Sequence, residues 1–393
     1  MTLVVLLALS SIQHDFDAAR AWDTVSSRIM QMYWARETQS EKMKRILEGT
    51  APEAKKCRST REFDKVMGSM IAKFGDSHFD FLTREDQGYY LFDGFAKGDK
   101  AAKLPNVGAW FKEGPDGFTV QMVLNGTPAE TAGMHKGDLV TSVDGESFQP
   151  VKSFESKVGK KVKVTIRPRK GDITYGPEKS LELEVTEAPG QELFLEATRK
   201  SGKIIERDGK KIAYYHLWTM ANSKFKDALE GFVYGKARET DAFILDIRDG
   251  FGGRPEGYGD PFFRPEADLE WSFGTKGPGV KQLFGYARPL VVIIDQGSRS
   301  AKEVFSYIIK KSGRGVLVGD HTAGDVLGTS PVAIGDWAYV EIPMVDLRID
   351  GNRLEHNPVK ADIQVPTEFD EAGNDLFLEK AIEVAITKSA TKR

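Results

Sequence analysis

A chain of 393 residues exceeds what one compact core usually supports, so two or three domains are expected. Its composition is that of a globular protein, 40% hydrophobic and 29% charged, and a net charge of −3 offers no electrostatic attraction to nucleic acid or an anionic membrane. Cys57 is the only cysteine, which excludes an intrachain disulfide and a zinc–thiolate site.

The first residues, Met1-Thr-Leu-Val-Val-Leu-Leu-Ala-Leu-Ser10, form an apolar run too short for a membrane span, which takes about 20 residues. Residues 1–12 read as a signal segment, with Ala8 and Ser10 as the small residues before cleavage, so export to the periplasm or the medium is expected. No Lys or Arg precedes the run, and a cytoplasmic protein opening on an apolar strand or helix is the alternative. Residues 13–100 read as a helical region, with helical texture from about His14 to Leu82. Phe63, Val66, Met67, Met70, Ile71 and Phe74 recur at the spacing of one helix face. Gly75 ends that helix and delivers Asp76-Ser77-His78 just beyond it.

Residues 101–190 turn to short β-runs. Phe118–Val123, Leu139–Val143 and Lys161–Ile166 read as strands, with turns at Pro115-Asp-Gly117 and Asp144-Gly145. Between them lies a short helix closed by glycine, Thr127-Pro-Ala-Glu-Thr-Ala-Gly133, followed by Lys136-Gly-Asp138. The order Gly126-Thr-Pro-Ala-Glu-Thr-Ala-Gly, Lys-Gly-Asp-Leu-Val and Val-Asp-Gly145 resembles the core of a PDZ domain. That resemblance implies a peptide-binding groove. The backbone amides of Val107, Gly108, Ala109 and Trp110 would hold a peptide's C-terminal carboxylate while the peptide adds a strand to the sheet edge. A module that only packs against its neighbours is the other reading.

Residues 191–393 alternate strand and helix, which argues for a largely parallel sheet covered by helices. Lys211–Trp218, Asp241–Ile247, Pro289–Ile294 and Gly315–Gly319 are its strands, and Asn222–Tyr234 is one of its helices. Ser300 follows the third strand at the start of an amphipathic helix, where amide dipoles stabilise charge developing on an attacked carbonyl. The same Ser300-Ala-Lys-Glu303 is also a capping box, so the segment alone fits either a nucleophile or a cap. Gly252 and Gly253 follow another strand and leave backbone amides free to act as an oxyanion hole, with Ala301 as a further donor.

A serine nucleophile needs a base within reach and a group that orients the base. His14 lies in the leader, His135 faces solvent in the β-rich module, and His216 interrupts a strand as a core histidine would. His78, His321 and His356 stay open on these grounds. A metal site from Glu355 and His356 with Asp320 or Asp362 matches no zinc spacing, and no metal or organic cofactor is expected.

Four ordered pieces then resemble the C-terminal processing (tail-specific) serine peptidases and their tricorn-like relatives. They are Phe74-Gly-Asp-Ser-His78, Phe243-Ile-Leu-Asp-Ile-Arg-Asp-Gly-Phe-Gly-Gly253, Gly297-Ser-Arg-Ser-Ala-Lys-Glu-Val-Phe305 with Gly313 to Gly324, and Gly351 to Val365. With the PDZ insert, the resemblance spans nearly the whole chain. It implies an α/β fold, a ClpP/crotonase-like catalytic core with a helical N-terminal region and an inserted PDZ domain. One departure matters: the processing branch uses a lysine as base, and Asp325 stands at its position. Lys302 lies two residues beyond Ser300 and projects away from the hydroxyl. The tricorn-like branch instead implies Ser300 as nucleophile, His78 as base and Glu355 as orienter, with Ser298 a competing nucleophile. The expected activity is PDZ-assisted endopeptidase cleavage of unfolded or tail-presented polypeptides. A catalytically inactive peptide-binding scaffold is the alternative, and oligomeric state is left open.

Overall fold

The strand that carries the site is Leu290–Ile294, and its alternate side chains enter two different cores. Successive side chains of a strand face opposite sides of the sheet. Leu290, Val292 and Ile294 share a core with Phe305 and Ile309 of the helix Ala301–Ser312, while Val291 and Ile293 share one with Phe377, Ala381 and Ile382 of the helix Leu376–Ala390. Burial on both faces explains why the run is continuously apolar. Each such side chain contributes about 1.5–3 kcal/mol. The computed structural model describes residues 16–390 apart from 172–173, 273, 275–276 and 278, so the expected signal segment, 1–12, lies outside the described residues.

The sheet runs in the order Lys203–Arg207, Lys210–His216, Ala242–Asp246, Leu290–Ile294, Gly315–Gly319, Ile363–Gln364. Its first pairing is antiparallel and the rest are parallel, as the strand–helix alternation predicts. Parallel pairing places the strand ends Asp246 and Ile294 side by side, with the loops carrying Gly252 and Ser300 leaving from one edge.

The β-rich module has its own sheet, in the order Lys179–Glu184, Lys161–Arg167, Leu139–Val143, Gly117–Val123, Ala109–Gly114, around a core that includes Val107, Phe111, Val140, Phe154 and Ile166. Its short helix, Pro128–Thr131, is closed by Gly133 at φ 73°.

The N-terminal helices Ala18–Met32, Ser40–Ala54 and Thr60–Ile71 do not form a core by themselves. Phe63, Met67 and Met70 share theirs with Ile334, Val340 and Ile342 of the hairpin Gly328–Ile334/Ala338–Val345. The predicted helical texture ends early: Asp80–Thr83 is a strand, recruited by that hairpin with Asp80 opposite Glu341. His78 is thereby held between a packed helix and a paired strand. No described helix is long and apolar enough to cross a membrane.

Candidate active site

Ser300 sits at φ 59° and ψ −122°, a conformation costly for a residue with a side chain, about 1–3 kcal/mol. It also differs from the extended backbone an N-cap residue adopts. The elbow is held from behind: the Ser300 N–H donates to the Asp325 carbonyl at 2.9 Å and to Glu303 Oε2 at 3.2 Å. Ser300 faces the first turn as a capping box requires, yet its hydroxyl makes no capping hydrogen bond. Glu303 is fully buried and also accepts from Thr322 Oγ1 at 2.7 Å, Gly324 N at 2.7 Å and Asp325 N at 2.8 Å, so one carboxylate ties the helix start to the neighbouring loop. Asp325 thus supports the elbow through its main chain, which any residue type supplies.

Glu355 reaches His78 through an intermediary. Glu355, 1% exposed, accepts from Ser77 Oγ at 2.9 Å, Ser77 N at 3.2 Å and Val326 N at 2.7 Å. Ser77 Oγ in turn lies 3.0 Å from His78 Nδ1. A hydroxyl has one proton, and a carboxylate with that proton as its partner leaves Ser77 Oγ only as an acceptor toward the ring. His78 is therefore the Nδ1–H tautomer, with the Nε2 lone pair available. Burial, and secondarily the Arg299 charge, pulls the His78 pKa down to about 3, so the ring is neutral at physiological pH. His78 is not a helix C-cap, since Ala72 closes that helix by donating to Gly68. Sequence reading passed over Ser77, although it stands inside the Asp-Ser-His piece.

Gly252 meets Ser300 and Ala301 directly. A Cβ added to Gly252 would lie 2.4 Å from Ser300 Cβ, 2.8 Å from its Oγ and 3.1 Å from the Ala301 nitrogen. Only glycine fits there, and the approach brings the Gly252 backbone, the hydroxyl and the Ala301 amide to one point. Gly253 follows at φ 131°. Ser300, Ala301, Gly252, Gly253, Arg299 and His78 line one cavity of about 1060 Å³. Among the described residues no hydrogen bond joins Ser300 to the His78 ring.

The competing candidates are otherwise engaged. Ser298 is fully buried and donates to the Ile247 carbonyl at 2.9 Å. His216 stacks on Trp218 at 3.7 Å, its ring Nε2 3.0 Å from the Arg248 carbonyl. His321 Nδ1 lies 2.7 Å from the Thr322 carbonyl, and His356 projects outward beside Glu355. Asp320 and Asp362 do not join Glu355 and His356: they contact Gln296 and Lys310 instead. The one acidic trio among the described residues close enough to share a cation is Asp249, Asp295 and Glu368, and the Lys136 ammonium of the β-rich module fills it at 2.8, 2.9 and 3.0 Å.

The edge of the β-rich module reaches the same cavity through Trp110 and Phe111. There the Gln87 side chain mimics a neighbouring strand, donating to the Ala109 carbonyl at 3.0 Å and accepting from the Phe111 N–H at 2.9 Å. In the expected carboxylate loop, the Gly108 N–H donates to Asn106 Oδ1 at 2.7 Å, and Val107 and Ala109 are buried.

Known proteins share both parts. Residues 211–365 match the model of Peptidase family S41, and residues 105–173 match that of the PDZ domain. A "Carboxyl-terminal-processing protease" of Synechocystis sp. is 24% identical over 61% of this chain and 57% of that protein, so the chain spans little more than half the length of this relative. Among solved structures, a photosystem II D1 C-terminal processing protease superposes with a TM-score of 0.58 at 19% identity, covering 95% of this chain and 99% of that one. The tricorn protease gives 0.58 at 18%, covering 95% of this chain and 37% of its own. The molecule is thus a mixed α/β fold with an S41 peptidase domain and a PDZ domain.

Proposed function

We propose that this chain is a serine endopeptidase of the C-terminal processing, tail-specific kind, with a ClpP/crotonase-like core and the Ser–His–Glu set of the tricorn-like branch. Its parts are the helical region 13–100, the PDZ domain 101–190 and the peptidase core 191–393, and its substrates are unfolded or tail-presented polypeptides. Ser300 Oγ attacks the scissile carbonyl and its proton passes to His78 Nε2. Ser77, and through it Glu355, stabilises the imidazolium. The amides of Gly252, Gly253 and Ala301 receive the oxyanion. Collapse breaks the C–N bond as His78 returns the proton to the leaving amine, and water activated by the same ring then releases the acyl group. Nothing in this sequence of steps requires a metal or cofactor.

The observation that carries the reading is the strained elbow: Ser300 is held at φ 59° against the Gly252 backbone, in a cavity shared with a histidine of defined tautomer. The PDZ captures a peptide at the strand Ala109–Gly114, and Gln87 must leave that edge first. Residues 1–12 direct export, which N-terminal sequencing of the protein purified from its host checks. The central test is fluorophosphonate labelling and cleavage of a disordered polypeptide by wild type and Ser300→Ala. Labelling of wild type alone supports the enzyme. Absence of both reactions, with peptide binding retained, establishes the inactive scaffold, the reading favoured by the missing Ser300–His78 hydrogen bond.

A further inference from the structure

The geometry points to Lys302 as a positioning residue for the oxyanion turn, holding from beneath the backbone that presents Gly252 and Gly253 to the reacting carbonyl. This rests on Ser300 being the nucleophile. Lys302 lies on the first turn of the Ser300 helix, is fully buried, and sends its ammonium away from the hydroxyl. Nζ donates to the Trp218 carbonyl at 2.9 Å and to the Asp249 carbonyl at 2.5 Å. Those carbonyls stand at the roots of the short ladder pairing Thr219–Met220 with Phe251–Gly253, and the Trp218 carbonyl also accepts from the Phe251 N–H at 3.0 Å. A peptide unit is planar, so fixing the Asp249 carbonyl also fixes the Gly250 amide plane and the direction in which the turn leaves. The fit is tight: a Cβ on Gly250 would lie 1.9 Å from the Trp218 oxygen and 3.2 Å from Nζ.

Among the described residues no carboxylate pairs with this ammonium within ion-pair distance. An apolar side chain would fill a buried helix face without the desolvation that an ion incurs. Retaining the ion there is explained by the two carbonyls it orients beside the nucleophile. Asp246, Asp249 and Asp295 face it from the neighbouring strand ends and loops, with His216 beside them; Arg248 and Lys136 occupy the same carboxylates, and Glu303 on its own helix points to the 322–325 loop. Burial lowers its pKa to about 8 against the pull of those acids, so its charge is lost as pH rises through that value.

The experiment measures fluorophosphonate acylation against pH for wild type, Lys302→Arg and Lys302→Met, with circular dichroism and thermal melting of each. Wild type is expected to lose acylation rate above about pH 8, Lys302→Arg to carry that fall to higher pH, and Lys302→Met to lower the maximal acylation rate about 10- to 100-fold at an unchanged half-saturating probe concentration. Should Lys302→Met fail to fold, the wild-type and arginine profiles decide alone. Superimposable profiles, or a folded Met variant of wild-type rate, overturn the assignment. A wild type that never acylates overturns Ser300 instead.

Discussion

The Ser300 elbow and the edge of strand Ala109–Gly114 are both places where a polypeptide main chain would meet this protein, and they are built in opposite ways. At the elbow the anchoring bonds lie behind the reactive atoms: Asp325 and Glu303 take the Ser300 N–H, and Ser77 and Val326 occupy Glu355. At the strand edge they lie in front, where Gln87 occupies the Ala109 carbonyl and the Phe111 N–H. Donors fixed in advance need no reorganisation when charge develops, which favours catalysis. An edge already satisfied must exchange its bonds before it binds, which weakens capture. On the proposed reading, the chemistry is committed by the fold, whereas substrate capture is conditional.

The largest effect is expected at Ser300, the proposed nucleophile. Ser300→Ala should lower turnover of a disordered polypeptide by about 10⁴- to 10⁶-fold, with peptide binding to the PDZ within twofold of wild type, about 0.4 kcal/mol. Persistent proteolysis would mean that the strained elbow stores its conformation for another purpose. Glu355→Gln comes next, at about 10⁴-fold in kcat. The oxygen that accepts from Ser77 Oγ also accepts from the Val326 N–H, so a carboxamide keeps its oxygen there, sets its NH2 against the Ser77 N–H and removes the negative charge that stabilises the imidazolium. Ser77→Ala only frees the ring, so about 10²-fold is expected for it. If the two variants behave alike, the Glu355 charge adds nothing beyond holding Ser77, and only the positioning role stands.

The junction between the two regions offers the third test. Lys136, from the PDZ, places one ammonium among Asp249, Asp295 and Glu368, and Asp249 begins the turn that carries Gly252 and Gly253. Burial alone would lower the Lys136 pKa, but the three acids outweigh it and raise it. Lys136→Met leaves those carboxylates facing one another and should destabilise the protein by about 3 kcal/mol in urea unfolding. An unchanged midpoint would make the PDZ a loosely tethered module, and the contrast between committed and conditional parts would then extend to their junction.

What the sequence made legible follows from the range of each contact. The strand–helix alternation, the face Phe63–Phe74 and the elbow after Leu290–Ile294 are local patterns, and each forms as read. The placing of His78 and Glu355 came from motif resemblance, because no spacing rule links residues so far apart. Ser77 as intermediary was illegible, since its bond to Glu355 spans 278 positions and looks in sequence like any small polar residue. The strand Asp80–Thr83 was misread because a hairpin more than 240 positions later pairs with it, overriding the helical texture before it. Lys302 was read correctly as pointing away from the hydroxyl, but its carbonyl partners lie 84 and 53 positions back.

Gln87 carries the smallest expected effect and bears most directly on the conditional side. Its amide makes two bonds to a strand edge, each with a net worth of about 0.5–1.5 kcal/mol because water competes for the same groups. Gln87→Ala removes the competitor without touching the elbow, so peptide affinity should rise about 5-fold in an anisotropy titration, with the fluorophosphonate rate unchanged. An amidated version of the peptide separates the two halves of PDZ recognition. If the added strand alone supplies the affinity, amidation is silent; if the Val107–Trp110 loop reads the carboxylate, affinity drops, and the Gly108 N–H must then exchange its Asn106 partner as well. No gain in Gln87→Ala with either peptide would mean that the edge is a packing surface of the fold, leaving the Ser300 cavity as the place where polypeptide is held.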